Sequence, residues 1–189
     1  VSDGHPWNGA SSDPNNFAGN PCIDAEWAWA KTSPNPPSAY IWMGHPNGVN
    51  GSVPPYTYGQ AIGAGAMLLA SKHNMQPALW WLDVETAGCW DTNCDGGTDP
   101  AGASATIQGT IDYLHSKEQL VGVYSTGQQW GVITGSYSPG VPLWYADWND
   151  PRAQAYLGCT ADHAFAGGSI WMVQSNPAST GGQFDPDYS

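Results

Sequence analysis

The chain has 189 residues, 41% of them hydrophobic, with four Lys or Arg against sixteen Asp or Glu and a formal net charge of -12 at pH 7. Length and apolar content suit one compact domain over residues 1–189. The charge argues against a nucleic-acid duplex or an anionic membrane as partner, because neither polyanion would be neutralised, and no apolar run approaches the roughly 20 residues that span a bilayer.

Residue 1 is Val, and no basic segment with an apolar run precedes it, which fits a mature chain whose export signal has been removed or an expression fragment. Residues 1–21 are dense in Gly, Pro, Asn, Asp and Ser, which set turns, and predict a loop. Between Cys22 and Lys31, Ile23, Trp27 and Ala30 recur near helical spacing, and Pro34, Pro36 and Pro37 stop that helix. "SAYIWMG" (38–44) predicts a strand, followed by an Ala-rich helix from about Tyr58 to His73, in which Gly59, Gly63 and Gly65 permit close packing at some cost in propensity.

"ALWWLDVE" (78–85) predicts the next strand, then a Gly/Asp/Cys loop and a helix from Pro100 to Lys117, with Asp99 as N-cap and Pro100 at the first helical position. "LVGVYST" (120–126) is a strand, a short helix spans about Gln128 to Ile133, and "VPLWYADW" (141–148) is again a strand. Asp150-Pro151 repeats the Asp-Pro cap and opens a short helix to Leu157, after which "SIWMVQS" and "FDPDYS" read as strands joined without a helix. Near-continuous apolar strands are those of a sheet covered on both faces, so the class is α/β: a parallel sheet or barrel with a β-rich C-terminal end.

Side chains alternate along a strand, so Asp83 and Glu85 point to one side at the C-terminal end of an apolar strand. In parallel α/β architectures that end is where loops converge and chemistry takes place. The same spacing recurs at Asp185 and Asp187 in the final run. Two acid pairs at one mouth would repel and raise at least one pKa, as a general acid near neutral pH requires. Glycoside hydrolysis uses such a set: one carboxyl donates to the leaving oxygen and one ionised group stabilises the oxocarbenium-like centre. The plainer reading is four solvated loop acids in an acidic protein.

On these residues the chain resembles glycoside hydrolase family 25 lysozymes. "WWLDVET" is similar to that family's Asp-x-Glu strand, "SAYIWMGH" to its third strand, "VGVYSTG" to its fifth, "PLWYADW" to its Leu-Trp-x-Ala strand, "WMVQS" to its Trp-Gln-Tyr strand and "FDPDYS" to its closing Asp-x-Asn strand. "SSDPNNFAGNPCIDAEWAWAK" resembles the segment before the third strand, and the likeness extends over about residues 12–189, nearest to uncharacterised secreted actinobacterial members. It implies an irregular TIM-like β/α barrel of five β/α units followed by three strands, and an N-acetylmuramidase activity cleaving β-1,4 bonds of an N-acetylated amino-sugar polymer such as peptidoglycan. Carried over by position, Glu85 resembles the general acid/base, Asp83 the neighbouring carboxylate that positions or stabilises the reacting centre, and Asp185 the acid on the last strand; Asp187 replaces the usual Asn. The departure is at the front, where the family's first strand carries another active-site Asp and this sequence offers only Asp3 in "VSDGHPWNG". Either the chain begins late or the barrel lacks its first strand. A rival function is also expected, a non-catalytic carbohydrate-binding or structural extracellular protein on a degenerate glycosidase barrel, which a charge of -12 also favours against anionic cell walls.

Eleven Trp residues suit a sugar-binding surface, since aromatic faces complement the C–H surfaces of sugars. Trp148 shares a strand face with Trp144 and Ala146 at the mouth, and Tyr124, His45 and Gln174 occupy similar strand-end places, as sugar contacts or as ordinary packing. Asp91, Asn93 and Asp95 followed by Gly96 open like a calcium loop, but Gly102 stands where its bidentate Glu belongs. Structural calcium and a disulfide-pinned polar turn both stay open, and no other cofactor is implied. An even number of cysteines in a Trp-, Gly- and Pro-rich, Lys-poor chain predicts a secreted protein with two disulfides. Four Cys allow three pairings; the short loop favours Cys89 with Cys94, leaving Cys22 for Cys159. Asn50-Gly51-Ser52 is a glycosylation sequon. No Gly-x-Ser-x-Gly elbow, phosphate loop or dinucleotide fingerprint is present.

Overall fold

A computed structural model describes residues 20–46, 53–91, 95–147 and 158–175, together with the backbone of 187–188. Six strands lie in chain order in one sheet: β1 (Ala39–Trp42), β2 (Trp80–Asp83), β3 (Val121–Ser125), β4 (Leu143–Asp147), β5 (Ile170–Ser175) and β6 (Asp187–Tyr188). The first five are parallel and β6 returns antiparallel to β5. Four helices are described, α1 (Ile23–Ala30), α2 (Pro55–Lys72), α3 (Pro100–Ser116) and α4 (Gly127–Thr134). The α/β class read from the sequence is thus present, with a β-rich end. Closure is not: among the described residues β1 and β6 are the two edges of an open sheet. Five parallel strands and a two-residue return fall short of the roughly eight that close such a barrel. The segment expected to lack or hold a first strand lies outside the described residues, as does the helix expected after Asp150-Pro151.

Alternation decides which face the helices cover. Ile41, Leu82, Val84, Val123 and Leu143 are essentially inaccessible and join Ile62 of α2 and Ile107 and Leu114 of α3 in one core. Helices α2 and α3 approach closely because glycines face backbone. A Cβ on Gly59 would lie 1.9 Å from the Thr106 carbonyl oxygen, and one on Gly109 would lie 2.1 Å from that of Tyr56. The Thr110 hydroxyl donates to the Gly59 carbonyl at 2.9 Å across the same seam. Gly63 meets the Tyr113 ring, so two of the three expected packing glycines do that work.

Helix α3 begins as the sequence predicts, with Pro100 first and the Asp99 side chain accepting from the Gly102 N–H at 3.1 Å. Helix α2 starts three residues earlier than the apolar pattern suggests, at Pro55, because proline at the first position forfeits only an N–H that no helical carbonyl would accept. A 3-10 turn at Ala161–His163, unforeseen in the sequence, precedes β5. Of the cysteines, Cys89 is disulfide-bonded, and Cys94 lies outside the described residues. The expected Cys22–Cys159 bridge is not formed: both are exposed free thiols, Cys159 with its pKa raised by desolvation. Pairing them by elimination assumed that every cysteine is oxidised. No helix among the described residues is long and apolar enough to cross a membrane.

Candidate functional site

The face of the sheet that the helices leave uncovered bears a cleft of about 680 Å³. Its walls follow the alternation: Trp81, Asp83 and Glu85 from β2 and its continuation, Tyr124 from β3, Trp144 from β4 and Gln174 from β5. The register places Trp42, Asp83, Tyr124, Trp144 and Met172 in one row across the five parallel strands. Gln174 lies two residues beyond Met172, at the height Glu85 reaches two residues beyond Asp83.

The main chain around the two acids is fixed by neighbours on both sides. The Asp83 carbonyl accepts from the Met43 N–H at 2.9 Å, and Val84 donates to the Tyr124 carbonyl at 3.0 Å. The buried Ser125 hydroxyl donates to the Val84 carbonyl at 2.7 Å, stitching β3 to β2 past the end of the ladder. Beyond Glu85 the chain turns, and the Glu85 carbonyl accepts from the Gly88 N–H at 2.9 Å and from the Trp90 indole at 2.6 Å. A Cβ at Gly88 would come within 2.9 Å of that indole nitrogen, so the turn requires glycine. Thr86 donates its N–H and hydroxyl to the Gln129 side-chain oxygen, at 2.7 and 2.9 Å. Gln129 is itself set by the Thr126 N-cap, whose hydroxyl accepts from its N–H at 3.0 Å. Asp83 and Glu85 are both partly exposed.

Below the acids the floor is aromatic. Trp144 meets Trp81 edge-on at 5.7 Å between ring centroids and Tyr124 at 4.6 Å, the T-shaped geometry that ring quadrupoles favour. The Tyr124 hydroxyl donates to the Gln174 side-chain oxygen. Gly122 makes this floor possible: a Cβ there would lie 2.3 Å from the Trp81 ring. The cleft therefore combines two carboxylates at the C-terminal end of a parallel strand with flat apolar rings and amide and hydroxyl groups. That set can bind a sugar ring and exchange a proton with it.

Of the residues singled out in the sequence, Asp83, Glu85, Tyr124 and Gln174 come together in this cleft. His45 does not. It is 6% exposed, its N–H donates to the Cys89 carbonyl at 2.8 Å, and its ring packs at the start of α3, with Nε2 3.3 Å from an Asp99 carboxylate oxygen. Gly102 accommodates that ring, which a Cβ would meet at 2.2 Å. The backbone of Asp187 pairs with Gln174, at the height of Glu85; Asp185 and Trp148 lie outside the described residues. In the candidate calcium loop, Gly97 donates to the Asp95 carboxylate at 3.2 Å, a Cβ on it would approach an Asp91 carboxylate oxygen at 2.5 Å, and Asn93 is outside the described residues. Among the described residues no three His, Cys, Asp or Glu side chains cluster as metal ligands would. Sequence reading overlooked Trp81, Tyr40 and Met172 as cleft residues, although Trp81 and Met172 each sit two residues from a recognised position on their strands. Nothing in the sequence pointed to Gln129.

A parallel α/β frame with an acid pair over an aromatic cleft defines a class of proteins, and the comparisons with known sequences agree with it. The family model described as lysozyme-like protein 1 matches residues 61–157, just over half of the chain, and the chain belongs to that family, carrying a domain like those of glycoside hydrolase family 25. Over 81 residues it is 35% identical to a probable GH family 25 lysozyme 4 of Dictyostelium discoideum, an alignment covering 42% of this chain and 35% of that protein. The chain thus spans about a third of the length of the curated relative it matches. No solved structure matches it.

Proposed function

We propose that the chain is a secreted lysozyme-type glycosidase that hydrolyses β-1,4 bonds of an N-acetylated amino-sugar polymer such as peptidoglycan. The observation that carries this reading is the shared placement of Asp83 and Glu85 in the aromatic cleft, with the Glu85 backbone clamped by Trp90 and its neighbour Thr86 held by Gln129. Glu85 protonates the leaving glycosidic oxygen. Asp83, helped by Asp185, stabilises the positive centre or orients the acetamido group of the substrate, and Asp187 and Trp148 complete the sugar contacts. The disulfide at Cys89 supports an oxidising, extracellular setting, with Cys94 as its partner. Calcium on Asp91, Asn93 and Asp95 would anchor the loop that leaves Glu85.

The test is release of reducing ends from purified cell walls by the wild type and by Glu85→Gln. A drop of about 10²–10⁴-fold is expected for loss of a general acid. Equal release by both proteins would remove the assignment and leave the carbohydrate-binding alternative.

A further inference from the structure

The cleft does not end beneath the carboxylates. Its other wall is the C-terminal end of α1 and the segment leading into β1, including Trp29, Ser33 and Asn35, with Tyr40 of β1 beside them. That segment enters β1 at Ala39, which pairs with Trp80, at the opposite end of β2 from Glu85. Along β2 and its continuation the lining runs from Trp81 to Glu85, four positions on, roughly 13 Å at the rise of an extended chain. The cleft is therefore longer than a single sugar ring, and among its described lining residues the acids stand at one end.

Trp29 is 73% exposed, the most exposed of the large hydrophobic side chains described. Its helix is nevertheless anchored. Ile23 and Trp27 are buried in the core, the Asn20 amide holds both Glu26 carboxylate oxygens at 2.9 Å, and Asp24 pairs with His73 at the end of α2 at 2.8 Å. An indole kept in water on a fixed helix, at the edge of a cleft, costs hydrophobic free energy that burial elsewhere would recover. A ligand that covers it recovers that energy. The surroundings state which kind: the only charged side chains among the described lining residues are Asp83 and Glu85, at the far end, while around Trp29 stand hydroxyl, amide and proline groups. Among the described lining residues a phosphate or an acidic peptide finds no cation. A neutral pyranose finds a flat ring for its C–H face and acceptors and donors for its hydroxyls.

We infer that Trp29 is a sugar-stacking residue that binds a ring of the same glycan chain away from the bond being cut, so that the protein prefers long substrates over short ones. This inference rests on the glycosidase reading above and adds a binding position to it. It is tested by binding alone, in the Glu85→Gln background where the ligand is not consumed. The probe is the β-1,4 hexamer of N-acetylglucosamine, with the dimer as a short control, followed by calorimetry. Trp29→Ala is expected to weaken the hexamer about tenfold and the dimer much less, and Trp29→Tyr to restore most of the loss, while thermal melting stays within about a degree because the indole is exposed. Equal hexamer affinity with and without the indole, beside intact cell-wall hydrolysis by the wild type, overturns this inference and leaves the activity standing. Absence of any saccharide binding together with absence of hydrolysis overturns both.

Discussion

The two faces of the sheet are built from the same strands and do opposite things. On the helix side Leu82, Val84, Val123 and Leu143 are sealed at 0% exposure. On the other side their neighbours Trp81, Asp83, Tyr124 and Trp144 line an open cleft. One residue of register separates a position that holds the fold together from one available for chemistry. The helix face tolerates no charge and gains from each methylene buried, whereas the cleft face keeps two carboxylates whose cost the opposite face must offset.

Two substitutions should separate these roles most sharply. Glu85→Gln is expected to abolish hydrolysis by about 10²–10⁴-fold, equivalent to about 3–5 kcal/mol of barrier, with unchanged melting. Leu82→Ala, three positions earlier and on the other face, should cost about 2–5 kcal/mol of stability in denaturant unfolding, with the specific activity of the folded fraction retained. If Leu82→Ala instead lowered activity at full stability, the division of labour between the faces would be wrong.

Gly122→Ala sharpens the comparison from within the cleft. The added methyl would sit 2.3 Å from the Trp81 ring and 2.8 Å from the Pro142 carbonyl, so the indole must swing away. A stability loss of about 1–3 kcal/mol is expected for overpacking, together with weaker saccharide binding as the floor is lost. Binding that survives intact in the folded variant would show that the floor is not the sugar-contacting surface.

How much of this was readable beforehand depends on periodicity. Alternation along "ALWWLDVE" placed Asp83 and Glu85 together, and the same rule followed back from the acids reaches Trp81, whereas Tyr40 joins them only through the pairing of β1 with β2. It failed for His45, which stands three residues past the end of β1, where strand geometry no longer dictates direction and a hydrogen bond to Cys89 turns the chain into the interior. Trp29 gave no signal, because a helical residue's outward face is indistinguishable in sequence from any surface position until the neighbouring cleft is known. Gly122 was legible only as a glycine in an apolar run; that it faces Trp81 is a cross-strand fact. Closure of the sheet was carried by family likeness alone, and no local pattern in the chain encodes it.

The smallest predicted effect comes from the helix side, and alkaline pH exposes it. Desolvation pushes the pKa of Tyr58, 4% exposed in α2, up to about 12 from its ordinary 10. Tyr137 is likewise pushed up to about 12, by burial first and then by the negative charge of Asp112. A tyrosine that ionises later in the folded chain makes the unfolded state the one that binds fewer protons above pH 10, so stability falls as pH rises. The contribution is complete below pH 10 and is lost through about pH 12. Urea unfolding at pH 8, 10 and 11 should therefore show a decline that Tyr58→Phe flattens, since phenylalanine keeps the buried ring and removes the titrating group. A decline as steep in Tyr58→Phe as in the wild type would mean that the buried face does not carry the alkaline sensitivity, and that the loss arises from groups elsewhere in the molecule.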